Sequence, residues 1–391
     1  MANIITIVKN TIIVEAARLC YWLTKPFFNK NIWIVSESNL QAQENGYDLY
    51  RWIEENAKDI DVYYVIDQSS PVVSKFSGKK NWLAFGTFKQ VLYLFHAKRI
   101  ISTHGLWMVP DEIGFLKKIT RKTLNAKKIM LNHGLCFLKN GKKFYHKSKF
   151  PLNDLVMTLS PKHKAIFTDV YGYDDKDVAI AGFPRYDSLI DASQSSKWKN
   201  MILFMPTFRD NEQDLGEKFK LTDMYNRIKL LAEDSKLNSA LLSNDCHLVI
   251  YLHQNIQSYV PFLKPLENDR FKVLSQSDFT VTELLKMSKL LITDYSSVLF
   301  DFSYMNKPFI SYQFDYDSFV LSREDKAIIN MRTDLPGAVV DTHADLVDEV
   351  MKYIDSGFFM EEKHKKMTSE YFTYQDQDNC KRVYQAIKDF K

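Results

Sequence analysis

Residues 290–302 read LLITDYSSVLFDF, and this stretch decides the fold. An apolar, β-prone run stops at Asp294, two serines follow, and an apolar run with helical character resumes. A strand followed at once by a helix is half of a β–α unit, the repeat of an open parallel sheet. The polar residues then lie at the carboxyl end of the strand, where such sheets bind ligands.

Short, continuously apolar runs recur on both sides of this stretch, with helix-like segments between them, as expected for buried parallel strands. The first series of predicted strands covers 31–37, 61–67, 99–104, 127–133, 155–160 and 177–183. The polar segment 193–200 is the expected linker. The second series covers 201–207, 247–253, 271–276, 290–294, 308–313 and 337–342. We therefore expect an N-terminal helix at 1–28 and two doubly wound α/β domains at 29–192 and 200–391.

Composition and missing motifs exclude several classes of protein. Hydrophobic residues at 46% and charged residues at 26% are typical of a soluble globular chain. The net charge is +4, and lysine-rich runs at 117–128 and 139–149 either suit anionic partners or are solvated surface. The sequence contains no GxGxxG after the first strand and no GxxxxGK[ST], GxSxG or HExxH, which disfavours nicotinamide, P-loop, serine-hydrolase and zinc-protease chemistry.

The cysteines and the N-terminus predict a cytoplasmic location. The four cysteines are far apart and none forms a CxxC pair, so neither a zinc site nor a disulfide framework is indicated. Lys9, Glu15 and Arg18 interrupt the apolar N-terminal segment, and we therefore expect neither a signal peptide nor a transmembrane helix.

Histidines follow one predicted strand in each domain. In IMLNHGLCF, His133 can exchange a proton near neutral pH, and Gly134 allows a tight turn and close approach of a ligand. In LVIYLHQN, His253 occupies the equivalent edge of a strand in the second domain. The two histidines either meet across a cleft between the domains or are separate structural residues.

Hydroxyl, guanidinium and carboxylate groups follow further strands of the second domain. In FMPTFRD, Arg209 offers a planar fork of donors suited to phosphate, and Thr207 adds a hydroxyl; the alternative is a surface turn. In TDYSS, Ser296 or Ser297 can cap the next helix, whose N-terminal amides attract anions; an ordinary serine cap is the alternative. Asp315 and Asp317 form a DxD pattern, which we interpret as a chance match, so we expect no metal site.

Six segments, in this order, resemble the CDP-glycerol glycerophosphotransferase family, the primases and polymerases of wall teichoic acid and related capsule enzymes: NHGLCFLKNG, GFPRYDSL, MPTFRD, YLHQN, LLITDYSSVLFDFSYMNKPFISYQFDYDSF and DLPGAVVD. The resemblance spans residues 30–390 and is most specific over 290–317. It implies a GT-B-like fold, with an acceptor domain at 29–192 facing a nucleotide-donor domain at 200–391 across a cleft.

The resemblance also implies an activity and its partners. The expected reaction moves glycerol phosphate, or a related polyol phosphate, from a CDP-activated donor to a hydroxyl of a membrane-linked glycan or polyol-phosphate acceptor, and releases CMP. The expected location is the cytoplasmic face of the bacterial membrane, with peripheral attachment. No cofactor, metal or nucleic acid is expected, and an oligomer is left open.

Site residues are carried over by position. His133 matches the histidine of the family's HG motif, thought to be the catalytic base, and His253 matches its second essential histidine. The predicted substrate- and donor-binding residues are Gly134, Arg185, Thr207, Arg209, Thr293, Asp294, Ser296 and Ser297. The chain has HGLCFLK where the family commonly has HGTPLK, and HQ where it usually has HP, which leaves the acceptor and the transferred group open.

Two other functions share these features. A GT-B glycosyltransferase that uses a nucleotide sugar would have the same domains and phosphate contacts, and a non-catalytic membrane or assembly protein would keep the fold but lose the base. The N-terminal helix is similarly ambiguous. Its apolar face, with Lys9, Arg18 and Lys25 beside it, lies either in the membrane interface or against the second domain. That face consists of Ile4, Ile5, Val8, Ile12, Leu19, Trp22 and Leu23.

Overall fold

The computed structural model describes residues 4–38, 40–103, 124–148, 153–209, 212–321 and 326–391. Residues 117–123 and 149 of the predicted basic runs lie outside these ranges, as do the side chains of Ile4 and Ile5. The chain forms two compact units. The first comprises Met1–Gly134, Gly141–Ser188 and Tyr371–Lys391, and the second comprises Leu135–Asn140 and Leu189–Glu370.

The first unit is built on a parallel sheet with the strand order β3-β2-β1-β4-β5-β6-β7. Its strands are β1 (Ile32–Ser36), β2 (Asp61–Ile66), β3 (Trp82–Ala84), β4 (Arg99–Ser102), β5 (Lys127–Met130), β6 (Leu155–Thr158) and β7 (Val178–Ile180). Its helices are α1 (Ile4–Thr24), α2 (Asn45–Asn56), α3 (Phe88–His96), α4 (Lys142–Tyr145), α5 (Pro161–Ala165) and, from the end of the chain, α13 (Asn379–Asp389).

The second unit is built on a parallel sheet with the strand order β10-β9-β8-β11-β12-β13. Its strands are β8 (Met201–Met205), β9 (His247–Tyr251), β10 (Phe271–Leu274), β11 (Leu290–Thr293), β12 (Phe309–Tyr312) and β13 (Ala338–Val340). The helices are α6 (Asp223–Glu233), α7 (Ser235–Ser243), α8 (Val260–Leu263), α9 (Val281–Met287), α10 (Val298–Tyr304), α11 (His343–Asp355) and α12 (Glu362–Tyr371).

Most strand residues are apolar and buried, as expected for a parallel sheet with elements packed on both faces. Successive residues of a strand point to opposite faces, so Trp33 and Val35 of β1 join one buried cluster and Ile32 and Ile34 join another. The prediction of two parallel α/β domains is confirmed, and each of the twelve predicted runs contains a strand. The sequence analysis missed β3, whose three residues are too few to give a pattern.

The C-terminal segment belongs to the first unit. The domain bounds predicted from the sequence put it at the end of 200–391, but the sequence did not decide between closing the second domain and crossing back to the first. Val383 and Ile387 of α13 are buried in the same apolar cluster as Trp33. Arg99 also donates hydrogen bonds to the carbonyl oxygens of Ile387, at 3.2 Å, and Phe390. The amphipathic pattern of α13 indicated a packed helix but contained nothing that names the surface it covers.

Helix α1 buries one side and exposes the other. Val14 and Ala17 are buried against α3 in the first unit, and the Thr24 hydroxyl lies 2.8 Å from Nε2 of His96. This side of α1 thus packs within the first unit. Most of the predicted apolar face is solvent-exposed, with Trp22 70% and Leu23 77% accessible. Within the part of the chain that the structure describes, no helix is long and apolar enough to cross a membrane.

Candidate functional site

The second sheet has a topological switch point between β8 and β11. From β8 the chain continues to β9 and β10 on one side, whereas β11, β12 and β13 lie on the other. Loops that leave the carboxyl ends of two such strands diverge and leave a crevice, which is the usual ligand site of a doubly wound sheet. The loop after β8 carries Thr207 and Arg209, and the loop after β11 carries Asp294, Ser296 and Ser297. The strand order thus brings together the two motifs predicted to bind the donor.

Asp294 holds these two loops together. Its Oδ1 accepts hydrogen bonds from the backbone amides of Thr207, at 2.9 Å, and Tyr295, at 2.7 Å, and also from the Thr207 hydroxyl. Its Oδ2 accepts from Nη2 of Arg209 at 2.9 Å. With only 1% of its surface accessible, Asp294 is a support for the loops, and the predicted direct contact with a donor does not fit this burial.

Thr293 also has a supporting position. Its side chain is fully buried, and its hydroxyl donates a 2.7 Å hydrogen bond to the carbonyl oxygen of Met205. This bond joins the ends of β11 and β8 across the switch point. The predicted contact between Thr293 and a donor therefore does not fit the structure either.

Arg209 lies between two carboxylates. Its Nε and Nη2 donate to Asp315 at 2.8 and 3.0 Å, its Nη2 also donates to Asp294, and its Nη1 donates to the carbonyl oxygen of Thr207. Burial acts to lower the pKa of Arg209, but the two carboxylates outweigh it and hold the pKa above its ordinary value. Because four hydrogen bonds engage the guanidinium and 6% of the residue is accessible, Arg209 organises the loops rather than presenting a free fork to phosphate.

Asp315 belongs to the same buried network, which the DxD interpretation did not anticipate. Its Oδ1 accepts a 3.0 Å hydrogen bond from the Tyr295 hydroxyl as well as the bond from Arg209. Phe319 stacks on the Tyr295 ring, with ring centroids 4.8 Å apart, and lies 4.1 Å from the Arg209 guanidinium. Asp317 is exposed and takes no part in this network. No group of three His, Cys, Asp or Glu side chains in the described ranges is arranged to hold a metal ion.

Glu212 is a further acidic group beside this network. It is 6% accessible, its backbone amide donates to the carbonyl oxygen of Arg209 at 2.9 Å, and its Oε2 has no hydrogen-bond partner. Burial raises the pKa of Glu212, against the opposing influence of Arg209. Sequence reasoning missed Glu212, Tyr295 and Asp315 as members of the site. Tyr295 and Asp315 carried signals, because Tyr295 lies inside TDYSS and Asp315 belongs to the DxD pattern, whereas Glu212 carried none.

The two serines lie at the solvent side of the network. Ser297 is exposed and makes no side-chain cap to α10, and the Ser296 hydroxyl accepts a long, 3.5 Å hydrogen bond from the Val298 amide. The predicted serine cap is therefore weak. The Ser297 hydroxyl is thus exposed, and the Ser296 hydroxyl is only weakly engaged by the first turn of α10.

His253 follows β9, the strand next to β8. Its ring packs on Phe208, with centroids 4.6 Å apart, and its Nδ1 accepts a 3.2 Å hydrogen bond from the Asn255 amide. Burial lowers the pKa of His253, which favours the neutral ring. Because Nδ1 is the acceptor, the proton of the neutral ring is on Nε2. His253 is therefore built as a hydrogen-bond donor through Nε2, a role that the sequence did not specify.

His133 lies in the first unit, three residues beyond the carboxyl end of β5, and its side chain is exposed. The residue with a left-handed backbone in this turn is Asn132, with φ of 63°. Nη1 of Arg185 donates a 2.6 Å hydrogen bond to the carbonyl oxygen of His133. Two predicted residues, His133 and Arg185, are thus brought together, although the donor-binding role predicted for Arg185 stays a prediction.

Two parallel sheets with polar residues at their carboxyl edges define a protein of the GT-B-like class. The model of one family matches residues 19–389, which is nearly the whole chain. The chain belongs to the CDP-Glycerol:Poly(glycerophosphate) glycerophosphotransferase family, and the resemblance noted in the sequence is confirmed.

Relatives support this assignment at the level of the family. The minor teichoic acid biosynthesis protein GgaB of Bacillus subtilis (strain 168) is 26% identical over 383 residues, which are 95% of this chain and 41% of GgaB. The chain thus spans less than half the length of that relative. A teichoic acid glycerol-phosphate transferase of Staphylococcus aureus (strain NCTC 8325 / PS 47) is 23% identical over 97% of this chain and 99% of its own length. The structure of the wall teichoic acid polymerase TagF matches with a TM-score of 0.71 and 16% identity, over 100% of this chain and 98% of TagF, which shows the shared fold.

Proposed function

We propose that this chain transfers glycerol phosphate, or a related polyol phosphate, from a CDP-activated donor to a hydroxyl of a membrane-linked glycan or polyol-phosphate acceptor and releases CMP. The observation that carries the proposal is the family match over residues 19–389. The names of the relatives support teichoic acid synthesis as the setting. A TagF variant studied with CDPG supports the choice of donor.

The carboxyl edge of the second sheet is the proposed seat of the donor pyrophosphate. Thr207 is half-buried beside the switch point, and Ser296 and Ser297 place two hydroxyls on its solvent side. The network of Arg209, Asp294 and Asp315 fixes the loops that carry them. Preorganised donors of this kind stabilise charge that develops on phosphate oxygens without any rearrangement during the reaction.

His253 adds a neutral donor to this seat. The contact of Nδ1 with the Asn255 amide leaves Nε2–H as the donor, and burial lowers the pKa of the ring, which favours its neutral form. A hydrogen bond from this group to a phosphate oxygen stabilises the transferring phosphoryl group and the CMP that leaves. His253 is thus proposed as an electrostatic contact and not as a base.

His133 is the proposed general base. It accepts the proton of the acceptor hydroxyl as that oxygen attacks the phosphorus atom bearing the glycerol. The bond from that phosphorus to the bridging oxygen breaks, and CMP leaves with the electron pair. A positioned base of this type contributes about 10²–10⁴-fold to the rate. Exposure of His133 at the end of its turn allows it to reach an incoming hydroxyl.

Peripheral attachment to the cytoplasmic face of the membrane is proposed through α1. We define the α1 apolar face as the exposed side chains of Val8, Ile12, Leu19, Trp22 and Leu23, which are 50–77% accessible. Lys9 and Lys25 flank this face and can interact with anionic headgroups. An apolar side with basic neighbours is typical of a helix that lies in the membrane interface and meets a lipid-linked acceptor there.

Release of CMP and donor binding test the proposed reaction. The purified chain is incubated with CDP-glycerol, CDP-ribitol and UDP-sugars in the presence of a lipid-linked acceptor, and donor binding is measured by calorimetry. We expect CMP release with a CDP-polyol, and we expect His133→Ala to bind the donor within about twofold while turnover falls by about 10²-fold or more. UDP release with a hexose donor would favour the glycosyltransferase alternative, and wild-type turnover by His133→Ala would remove His133 from the mechanism.

A further inference from the structure

The turn that carries His133 has an unusual backbone. Asn132 has φ of 63° in the left-handed region, which asparagine tolerates better than most residues. Its side chain is buried and donates a 2.8 Å hydrogen bond to the carbonyl oxygen of Met157 on β6. The turn is therefore anchored on one side by the neighbouring strand. The carbonyl oxygens of Asn132 and His133 each have a further hydrogen-bond donor.

A single buried carboxamide holds the first of them. Asn45, the first residue of α2, is fully inaccessible to solvent, and its Nδ2 donates a 2.7 Å hydrogen bond to the carbonyl oxygen of Asn132. Its Oδ1 accepts a 3.1 Å hydrogen bond from the backbone amide of Arg185. Asn45 thus connects the turn after β5 to the loop after β7, which contains Arg185.

Arg185 completes the second tie. Its guanidinium donates a 2.6 Å hydrogen bond to the carbonyl oxygen of His133 and lies over the ring of Tyr186, 5.0 Å from the centroid. The carbonyl oxygens of Asn132 and His133 are consequently both fixed by side chains from distant parts of the sequence. Asn45 takes part in both contacts. It binds the Asn132 carbonyl directly, and it binds the backbone amide of Arg185, whose side chain binds the His133 carbonyl.

We propose that Asn45 is a positioning residue for His133. It acts through the backbone of the turn and touches neither the imidazole nor a substrate. The catalytic consequence rests on the proposed function of His133 as the base. The structural part, that Asn45 sets the conformation of the His133 turn, stands on the contacts of the first unit alone.

Changing the Asn45 donor into an acceptor tests this arrangement. Asn45→Asp replaces the Nδ2 donor by a carboxylate oxygen that repels the Asn132 carbonyl, yet keeps the acceptor for the Arg185 amide. Asn56→Asp, at the exposed last residue of the same helix, is the matched control for the chemical change. Arg185→Gln removes the hydrogen bond from the half-buried Arg185 side chain to the His133 carbonyl, and it serves if Asn45→Asp does not fold.

The effect is expected in turnover and not in donor binding. Misplacement of a catalytic group by about 1 Å costs on the order of 10²-fold in rate, so we expect kcat of Asn45→Asp to fall by about 10–100-fold. The affinity for CDP-glycerol should stay within about twofold, because the donor seat lies in the second unit. Arg185→Lys, which can still donate to the His133 carbonyl, should recover more activity than Arg185→Gln.

Histidine-selective ¹H–¹⁵N NMR separates the turn from the chemistry. The His133 ring signals are assigned with His133→Gln, and CMP release is measured on the same samples. We expect Asn45→Asp to shift or broaden the His133 signals and to lower kcat, while Asn56→Asp changes neither. Unchanged His133 signals in folded Asn45→Asp and Arg185→Gln would overturn the proposal whatever the activity. Altered signals with wild-type kcat, in a protein that His133→Ala inactivates, would overturn the positioning role. If the wild-type chain releases no CMP from any CDP-polyol, the proposed function fails and the NMR result alone decides whether Asn45 holds the turn.

Discussion

Replacement of Arg209 by alanine distinguishes a structural network from a direct phosphate contact. In the structure the guanidinium binds two carboxylates, Asp294 and Asp315, and the side chains of Arg209 and Asp294 are 8% and 1% accessible. Without Arg209, both carboxylates remain in a poorly solvated region with no cation between them. We therefore expect Arg209→Ala to destabilise the second unit strongly in the absence of any ligand.

The magnitude follows from the burial of the pair. Removing one partner of a buried ion pair typically costs about 3–5 kcal/mol, because an uncompensated charge is left behind. Asp315→Asn leaves Arg209 paired with Asp294 and should cost about 1–3 kcal/mol. Arg270→Ala is the control, since its partner Asp245 is 48% accessible and such surface pairs contribute about 0–1 kcal/mol.

Thermal unfolding of the ligand-free proteins gives the measurement. For a unit of fewer than 200 residues, 1 kcal/mol corresponds to about 2–4 °C, so Arg209→Ala should lower Tm by about 6–20 °C. Hydrogen exchange followed by mass spectrometry should show faster exchange in the peptides that cover β8 and β11. A variant that melts within about 2 °C of wild type but has lost CMP binding would refute the network interpretation and assign Arg209 to the phosphate.

Three further results are expected. Burial lowers the pKa of His163 from 6.5 to about 3. The unfolded chain therefore binds the proton first, and the free energy of unfolding declines as pH falls below about 6.5. His163→Asn should remove about 2 kcal/mol of this decline at pH 5, measured by urea unfolding at several pH values. Replacing Ser296 and Ser297 together by alanine should weaken CDP-glycerol binding by about 10–100-fold in calorimetry with Tm unchanged, and equal affinity would place the pyrophosphate elsewhere. Replacing the side chains of the α1 apolar face by serine should lower the affinity for anionic liposomes, measured by sedimentation, by about 100-fold or more. Serine at the exposed Leu221 and Phe359 is the control and should leave this affinity unchanged. Equal binding by both variants would remove α1 from the interface.

The sequence predicted most of the fold because its strands are continuous apolar runs bounded by polar turns. LLITDYSS and MPTFRD each indicated a polar strand end, and the strand order places these two ends side by side at the switch point. The short strand β3 and the surface on which α13 packs were not predicted, for two different reasons. Three residues of β3 give no period, and an amphipathic helix does not specify its partner.

The side-chain roles were harder to predict than the positions. Arg209 was assigned to phosphate because an arginine at a strand end suits that ligand, but the carboxylates of Asp294 and Asp315, 85 and 106 residues away in sequence, bind it in the fold. The donor role of Nε2 in His253 depends on a local backbone contact that no sequence motif encodes. Asn45 carried no signal, because an asparagine at the start of a helix is ordinarily interpreted as a cap.

The mass of the acceptor after reaction tests the central claim most directly. The wild-type chain, His133→Ala and a no-enzyme control are incubated with CDP-glycerol and a lipid-linked acceptor, and the products are analysed by mass spectrometry. We expect the acceptor to gain whole glycerol phosphate units with one CMP released for each unit, and we expect no gain with His133→Ala. Addition of a hexose from a UDP-sugar, or a mass gain that is equal with and without His133, would contradict the account.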